Sequence, residues 1–378
     1  MVNDIQNKII IIGGGLIGEL LHLMLKSKGF EINHFAKALK IKNRTFALSP
    51  SSVDWLRSLG FPSSFFEALS EIKSMKIFDS SIKNSVTLDA EDVHKPALAY
   101  MVNEKDFNVA IKKTFNNEKN FKKLSTDFEI KTEQEQVILK FHNEEHKASI
   151  IIACDGANSM VREKIAINPL KHDFKQTALS FELKVKSEIQ KQAFQFFLKE
   201  SILAVLPIRK GLVSIVWSCD YQFFEKLNNL DDKSIENELN LIIGNYYKDI
   251  KIASKKEYFP LFMNSVESIF KDRVLLVGDA AHFIHPMAGQ GLNLGIRDII
   301  FLEKNIDKKD YMDIGLKGFL RKYERVRKED VSQMGFLTFG LNWIFSKKST
   351  IVIGMIKKGM SMLDKSKFLK QQLIKKAI

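Results

Sequence analysis

A glycine-rich turn close to the start of the chain restricts the possible folds more than any other feature. The isoleucine-rich run from Lys8 to Ile12 predicts a buried central strand of a parallel sheet. Glu19 to Ser27 predicts a helix, and between the two lies a G-x-G-x-x-G pattern whose glycines are Gly13, Gly15 and Gly18. Glycines at this spacing allow a tight turn, close approach of a pyrophosphate and close packing of helix on sheet. The segment therefore predicts a Rossmann-like dinucleotide site, the alternative being a glycine-rich turn that binds no ligand.

The end of the predicted second strand departs from the dinucleotide-binding pattern. This strand covers Glu31 to Phe35, and an Asp or Glu at its end normally binds a ribose hydroxyl. Here that position is Ala36, and Lys37 follows it. Either another group holds the ribose, or the adenosine end of the ligand is held more weakly.

A second strand–turn–helix unit lies in the last third of the chain. Val274 to Val277 predicts a buried strand that Gly278 and Asp279 terminate, and Gly291 opens a helix that runs through Ile300. The Asp279 carboxylate would lie at the carboxyl edge of the sheet, where open α/β sheets bind ligands. The helix start adds free N–H groups and a partial positive charge. This combination suits a ligand with ribose hydroxyls and a ring that becomes anionic, such as reduced flavin; the alternative is an ordinary connection with one aspartate cap.

Two further segments carry candidate ligand-binding groups. A third predicted strand leads into Asp155 and Gly156, and Asn158 or Ser159 is a candidate cap for the helix that follows. The Asp155 carboxylate suits a ligand at the sheet edge, and helix capping alone is the alternative. Arg44 suits a phosphate or the face of a flavin, and the alternative is an arginine held in a structural ion pair.

The composition is that of an ordinary globular protein with a basic C-terminal end. Hydrophobic residues make up 45% and charged residues 27% of the chain, and the formal net charge is +13. From Trp343 onwards there are nine lysines and one aspartate beside apolar clusters. This end predicts contact with an anionic membrane surface, or else a helical cap folded on the body. Nothing in the sequence has the pattern of a nucleic-acid-binding motif, so no nucleic-acid partner is predicted.

The cysteines and the apolar segments indicate the compartment. Cys154 and Cys219 have neither metal-site nor disulfide spacing, which is typical of a reducing environment. We find no signal peptide and no apolar run of about 18 residues that would span a bilayer. The sequence therefore predicts a cytoplasmic protein, peripheral on the inner face of the membrane where the basic end binds it.

The remaining patterns divide between helices and a β-rich insertion. Helices are predicted over residues 51–59, 103–115, 230–247 and 302–329. Residues 61–99 lack a helical period, and residues 173–217 show alternating strand patterns.

The three glycine-and-aspartate motifs, taken in this order, resemble those of the aromatic-ring flavin hydroxylases of the p-hydroxybenzoate hydroxylase type. Within that group the chain is most similar to the ubiquinone-biosynthesis hydroxylases. The segments that carry this closer likeness are Arg44–Ser49, Asp155–Ser159, Leu206–Pro207, Ser214–Trp217, His285–Asp298 and Tyr323–Arg327. The resemblance covers most of residues 8 to 330, and Ala36 is its main departure.

The resemblance implies an α/β fold in three parts. These are a Rossmann-like FAD-binding domain of the glutathione reductase type, an inserted β-rich substrate domain and a helical C-terminal segment. The corresponding ranges are residues 1–65, 98–168 and 262–305 for the FAD-binding domain, 66–97 and 169–261 for the substrate domain, and 306–378 for the C-terminal segment.

The resemblance also implies a reaction. FAD is reduced by NADH or NADPH, O₂ adds to give a flavin C4a-hydroperoxide, and one oxygen atom passes to the aromatic ring of a polyprenylated phenol in ubiquinone biosynthesis. The implied partners are this quinone precursor, O₂ and other ubiquinone-biosynthesis proteins. Two alternatives stay open: another flavoprotein of the superfamily, such as a prenyl-chain reductase or an epoxidase, and a non-catalytic subunit of a quinone-synthesis assembly.

The resemblance assigns roles to the motifs. The glycine turn would hold the pyrophosphate, Asp279 the ribitol or phosphate region, and the Asp155-Gly156 pair both FAD and the nicotinamide cofactor. The predicted cofactor-binding residues are Gly13, Gly15, Gly18, Arg44, Asp155, Gly156, Gly278, Asp279, Pro286, Gly289, Gly291, Leu292 and Asn293, and the flavin-supporting loop holds His285, Pro286, Gly289, Gln290 and Gly291. No metal site and no catalytic side chain are predicted, and His282 and His285 are interpreted as structural.

Overall fold

The computed structural model describes residues 5–37, 44–80, 82–115, 121–187, 191–283, 290–306, 313–346, 359, 362, 364 and 366–377. The strands, in chain order, are β1 Lys8–Ile12, β2 Glu31–Ala36, β3 Thr45–Leu48, β4 Ser70–Ile72, β5 Ser74–Asp79, β6 Ile82–Asp89, β7 Ala99–Asn103, β8 Lys122–Lys123, β9 Phe128–Thr132, β10 Val137–Phe141, β11 Glu144–Ala148, β12 Ile150–Ala153, β13 Pro169–Lys186, β14 Gln192–Phe197, β15 Ser201–Arg209, β16 Leu212–Asp220, β17 Lys248–Ile252, β18 Glu257–Val266, β19 Phe270–Lys271 and β20 Val274–Leu276. The helices are α1 Leu16–Ser27, α2 Pro50–Ser58, α3 Ser63–Glu67, α4 Glu104–Thr114, α5 Met160–Lys164, α6 Tyr221–Asn228, α7 Asp232–Ile243, α8 Gln290–Asn305, α9 Lys317–Ser346 and α10 Lys367–Ala377. Ala90–Val93 and Gly278–Ala280 form 3₁₀ turns.

A mostly parallel sheet forms the centre of the first part of the molecule. Its strand order is β19-β20-β12-β1-β2-β8, and β20, β12, β1, β2 and β8 are mutually parallel. The isoleucines at positions 9, 10 and 11 of β1 are fully buried, because helices and neighbouring strands cover a central parallel strand on both faces. Parallel strands end at the same edge, so the segments after β20, β12, β1 and β2 are neighbours in space.

A second, eight-stranded sheet joins two distant stretches of the chain. Strand β6 pairs with β5 and β5 with β14, and the order continues as β14-β15-β16-β13-β17. Strand β18 pairs with another part of β13, on the side opposite to β16. The inward faces of these strands pack against α6 and α7 around the fully buried Trp217 and Tyr247. The structure therefore has the predicted architecture of a Rossmann-like part, a β-rich insertion and a helical C-terminal segment, whereas the exact domain boundaries stay predictions.

One helix prediction is wrong. The pattern over residues 302–329 predicts a continuous helix, but α8 ends at Asn305 and α9 begins at Lys317. Asp313 accepts a hydrogen bond from the Gly315 N–H (2.9 Å) and forms an ion pair with the buried Arg273 (2.7 Å). A side chain at Gly315 would collide with Arg273 and with the Ser149 carbonyl. This tertiary contact breaks the helix, and apolar periodicity does not report it.

Two smaller helix predictions need adjustment. Residues 61–99 include the five-residue helix α3, which is too short to produce a helical period. The helix predicted over residues 230–247 is confined to α7, because Asp231 caps its start and Gly244 its end.

Helix α10 packs on the Ala90–Val93 turn, where the Gln371 side chain donates to the Asp92 carbonyl (2.7 Å). Within the described part of the chain, no helix combines the length and the hydropathy needed to cross a bilayer.

Two buried histidines support the glycine turn after β1. His34 on β2 donates through Nε2 to the Gly13 carbonyl (2.7 Å), and its Nδ1 lies 3.2 Å from Nδ1 of His22 on α1. Because a carbonyl only accepts, His34 carries its proton on Nε2, and His22 donates to the free Nδ1 of His34. Burial lowers the pKa of His22 to about 3 and that of His34 to about 4. Both rings are therefore neutral at neutral pH.

This pair makes stability sensitive to acid. Below pH 6.5 the unfolded chain takes up protons at these histidines while the folded chain does not, so stability is present above pH 6.5 and is lost as pH falls toward 4. From the size of the shifts, we expect the free energy of unfolding to fall by roughly 2 kcal/mol per histidine between pH 6.5 and pH 5. Urea unfolding of wild type and His34→Gln at both pH values measures this loss.

The amide of His34→Gln can still donate to the Gly13 carbonyl but does not titrate. Its stability should therefore fall less on acidification than that of wild type, by roughly the contribution of one histidine. His172→Gln, on an exposed residue of β13, is the matched control and should behave as wild type. Equal acid sensitivity in wild type and His34→Gln would contradict the assignment.

Candidate functional site

A cavity of about 370 Å³ opens at the carboxyl edge of the parallel sheet. All three predicted motifs contribute to its wall. The lining residues are Ile12, Gly13, Gly14, Gly15, Leu16, Ile17, Ala36, Lys37, Arg44, Phe46, Leu124, Cys154, Asp155, Gly156, Asn158, Met160, Val277, Asp279, Gly291 and Leu292. The strand ends that contribute, from β20 to β8, span four inter-strand steps, or about 19 Å at ~4.8 Å each. An extended dinucleotide fits an edge of this length.

The three glycines of the turn are explained by different features of the structure. Gly13 has φ +139°, and a Cβ there would overlap the Cys154 carbonyl. A Cβ on Gly18 would overlap the Gly13 carbonyl, so Gly18 lets α1 approach the turn. Gly15 has an ordinary extended conformation (φ −79°, ψ 175°), and nothing lies within 4 Å of its Cβ position. Neither backbone nor packing requires glycine at position 15, whereas a ligand lying against the turn would require it.

The start of α1 faces this open space. Gly15 is its N-cap residue and forms no side-chain cap, so the first N–H groups of α1 are available to an anion. The helix dipole adds a partial positive charge at the same place. Backbone N–H groups at the start of a helix after a glycine turn are the usual ligands of a pyrophosphate.

The Asp155 carboxylate organises the turn after β12. It accepts hydrogen bonds from the Ser159 hydroxyl (2.5 Å) and the Val161 N–H (3.1 Å), and Ser159 in turn caps α5. Burial raises the pKa of Asp155, although these hydrogen bonds oppose the rise. The capping role that the sequence left open is therefore present. Gly156 has φ +87° and also lines the cavity.

Asp279 lies on the cavity wall after β20, the strand next to β12. It belongs to the 3₁₀ turn Gly278–Ala280, and Gly278 has φ +62° with Ile17 packed against it. Burial raises the pKa of Asp279, and the nearby charges of His282 and Arg44 oppose the rise. A partly buried carboxylate of this kind suits hydrogen-bond donors such as ligand hydroxyls.

A buried ion network fixes the Asp279 turn from behind. The fully buried Asp298 of α8 accepts from the Gly278 N–H (2.7 Å), from His282 Nε2 (2.8 Å) and from Arg327 Nε of α9 (2.5 Å). Burial alone would raise the pKa of Asp298, but His282 and Arg327 outweigh burial and bring it to about 2. The same partnership raises the pKa of His282. His282 thus has the structural role that the sequence analysis gave it.

Two other contacts hold the motifs in register. The buried Arg162 donates to the Ala280 carbonyl (2.8 Å) and to the Ala157 carbonyl (2.8 Å). It therefore joins the turn after β12 to the turn after β20. Sequence reasoning missed this role, although Arg162 lies only three residues after the segment Asp155–Ser159.

Arg44 and Asn293 also have structural partners. Arg44 forms a two-pronged ion pair with the buried Glu104, at 2.9 Å for each hydrogen bond, while the exposed part of its guanidinium lines the cavity. Glu104 thus orients the Arg44 charge toward the cavity rather than away from it. The Asn293 side chain donates to the Ala47 carbonyl (2.8 Å) and accepts from the Ser49 N–H (2.8 Å). It ties α8 to the segment after β3.

The predicted site residues therefore fall into three groups. Gly13, Gly15, Arg44, Asp155, Gly156, Asp279, Gly291 and Leu292 line the cavity. Gly18, Gly278 and Asn293 lie behind its wall and support it. His285, Pro286 and Gly289 lie outside the described residues, and Gln290 is described only as the first residue of α8.

Some lining residues were not predicted. Phe46, Leu124, Asn158 and Met160 reach the cavity from four different elements, and Cys154, interpreted only as a small buried side chain, also lines it. Asn158 was a cap candidate, and Phe46 lies in the segment Arg44–Ser49 that carries the family resemblance. Apolar residues such as Leu124 and Met160 carry no local pattern that distinguishes a cavity wall from core.

Comparison with known proteins agrees with this geometry. A family described as an FAD binding domain matches residues 6–334. The ubiquinone biosynthesis monooxygenase COQ6 of Dictyostelium discoideum is 26% identical, covering 97% of this chain and 90% of that protein. The 3-demethoxyubiquinol 3-hydroxylase of Escherichia coli is 24% identical, covering 98% of each chain.

Solved structures share the fold. The p-nitrophenol 4-monooxygenase PnpA of Pseudomonas putida superposes with a TM-score of 0.77 at 16% identity, covering 98% of this chain and 97% of that one. HpxO of Klebsiella pneumoniae, solved with FAD and uric acid, gives a TM-score of 0.72 at 15% identity, covering 98% and 96%. The predicted fold class and the predicted cofactor FAD are confirmed. The chain belongs to the FAD binding domain family and is an FAD-dependent monooxygenase.

Proposed function

We propose that this protein hydroxylates the aromatic ring of a polyprenylated phenol in ubiquinone biosynthesis, using O₂ and NADH or NADPH. The observation that carries the proposal is the single cavity that the three motifs line together. The names of the relatives support the substrate class, since they include a ubiquinone biosynthesis monooxygenase and a demethoxyubiquinol hydroxylase. Bound FAD would supply the oxygen chemistry, and the protein would supply binding, orientation and shielding.

The residues on the cavity wall fit the parts of FAD. The N–H groups after Gly15 would bind the pyrophosphate, and the Asp279 carboxylate would accept hydrogen bonds from hydroxyls of the ribitol chain. The start of α8, at Gly291 and Leu292, would place the positive end of a helix dipole near the isoalloxazine, where it stabilises negative charge on the reduced ring.

No side chain of the described cavity is needed as an acid or a nucleophile. His282 is held by Asp298, and the charges of Arg44 and Asp155 are already engaged by Glu104 and by the α5 cap. These groups therefore position the cofactor. Excluding water from the reactive ring is the remaining task, since a wet site would release the activated oxygen as peroxide.

The activity itself is the first test. Purified protein loaded with FAD, incubated with NADH or NADPH, O₂ and a short-chain prenylated phenol, should give a hydroxylated product. Its new oxygen should carry the label when ¹⁸O₂ is used, which a prenyl-chain reductase would not produce. Product analysis locates the oxygen on the ring, as proposed, or on the prenyl chain, as an epoxidase would place it. Oxidation of the nicotinamide that yields only peroxide with every such phenol would overturn the proposed substrate class.

The second test uses Gly15, the glycine that the fold does not require. A Cβ at this position has no protein atom within 4 Å, and a valine side chain would extend into the space in front of α1. Gly15→Val should keep the melting temperature of the FAD-free protein within about 2 °C and weaken FAD binding by about a hundredfold or more, since the pyrophosphate loses its seat. Flavin fluorescence titration and thermal unfolding measure the two effects.

The matched control is Gly318→Val in α9, which also meets open space but lies away from the cavity. It should bind FAD as wild type does. If Gly15→Val binds FAD normally, the cofactor does not lie against this turn.

We propose in addition that the basic C-terminal end binds an anionic membrane, from which a prenylated substrate would enter. On α10, Phe368 and Leu369 are 65% and 39% exposed, and Lys367 and Lys370 flank them. Exposed apolar side chains beside lysines are typical of interfacial helices.

Replacing both apolar residues by glutamate, Phe368→Glu with Leu369→Glu, should weaken binding to anionic vesicles by about tenfold or more, because apolar contact is lost and like charge is added. Removing the chain after residue 342 should abolish binding. The control is Leu241→Glu on α7, because Leu241 is an 81% exposed leucine that is distant in sequence from α10. Vesicle sedimentation measures all three, and unchanged binding of the double variant would contradict the assignment to α10.

A further inference from the structure

The adenosine side of the cavity lacks the acid that dinucleotide folds place there. The residue at the end of β2 is Ala36, which is 1% exposed and offers only a methyl group. Among the described lining residues the carboxylates are Asp155 and Asp279, which follow β12 and β20. Both strands lie on the other side of β1 from β2. In the described part of the wall, the adenosine side therefore has no carboxylate for a ribose hydroxyl.

A lysine stands beside this position. Lys37 is exposed, follows β2 directly and lines the cavity. Its Nζ donates to the Met160 sulfur at 3.1 Å. A thioether is a weak acceptor, and an ammonium has three donors. The amine is thus held at the cavity by a partner that an anionic ligand would readily replace.

The sheet order shows where this amine points. β1 lies between β2 and β12, and Met160 begins the helix that follows β12. A side chain that starts after β2 and reaches Met160 must cross the edge of β1. The glycine turn and the start of α1 occupy that edge. The contact with Met160 therefore directs the ammonium from the end of β2 toward β12, along the edge that carries the glycine turn.

We propose that Lys37 binds the pyrophosphate of FAD from the side opposite to α1, and that this charge replaces the missing ribose carboxylate as the adenosine-side anchor. The inference rests on the proposed placement of FAD in this cavity. Phosphate oxygens accept charge-assisted hydrogen bonds from an ammonium more strongly than a thioether does. The phosphates would then lie between the helix N-terminus and Lys37, and the ribose hydroxyls would contribute little to affinity.

Ligand fragments distinguish this arrangement from ribose recognition. ADP carries the pyrophosphate, and adenosine carries the ribose without it. The two are used as competitors of FAD binding to the full-length protein, with flavin fluorescence as the readout. Lys37→Met removes the charge at nearly constant length, Lys37→Arg keeps it, and Lys226→Met on the exposed face of α6 is the matched control.

For Lys37→Met we expect FAD and ADP to bind about tenfold more weakly than to wild type, the size of one charge-assisted hydrogen bond at an exposed site. Lys37→Arg should stay within about threefold of wild type, and Lys226→Met should be unchanged. Raising the salt from about 0.05 M to about 0.5 M should weaken ADP binding more in wild type than in Lys37→Met, because screening acts on the removed charge. Adenosine should compete with FAD equally well for binding to the wild type and to each of the three variants.

Two results would overturn the proposal. If ADP binds Lys37→Met as tightly as wild type, the amine does not touch the phosphates. If adenosine weakens as much as ADP, the amine serves the ribose instead. Failure of the FAD placement itself gives a different pattern, since Gly15→Val would then bind FAD normally.

Discussion

The structure of the cavity wall depends on the hydrogen bonds and ion pairs that the Asp298 carboxylate forms. It is fully buried and joins three parts of the chain: the Gly278 turn, His282 and Arg327 of α9. A charge without partners at this depth would cost several kcal/mol, so each partner is required. Its hydrogen bond from the Gly278 N–H fixes the backbone immediately before Asp279, which lines the cavity. The ion network is thus a positioning device for the carboxylate in front of it.

The same contact explains why two distant motifs occur together. The segment His285–Asp298 and the segment Tyr323–Arg327 carry the family resemblance independently in the sequence. In the structure the last residue of the first pairs with the last residue of the second. Asn293 connects another pair of segments, because its side-chain amide forms hydrogen bonds with the backbone of the segment that follows Arg44. Several residues that resemble cofactor ligands therefore form structural contacts that hold the lining residues of the cavity in place.

This division marks how far the sequence alone could predict the site. The strand, the glycine turn and the helix at Lys8–Ser27 are local features, with signals in adjacent residues, and the parallel pairing that brings three strand ends together follows from them. What adjacent residues cannot report is the use of a polar group by a distant partner. The break at Asp313–Gly315 depends on Arg273, some forty positions away, and the Arg44 charge is oriented by Glu104. Both residues had local patterns compatible with other roles, and only the tertiary contacts decide between them.

The charged groups are unevenly distributed along the cavity wall, and this distribution bears on the chemistry of the site. Its carboxylates lie on the β12 and β20 side, whereas its described middle and adenosine side present backbone N–H groups, Arg44 and Lys37. Of these two carboxylates, Asp155 already accepts hydrogen bonds from Ser159 and Val161. A dinucleotide bound here would be held through its phosphates by positive potential and through its hydroxyls by one carboxylate. The described wall holds and orients the cofactor, so the protein's contribution to the chemistry is geometric. Among the described residues, the contacts behind the wall thus commit the charges of Asp298, His282 and Arg327 to structure.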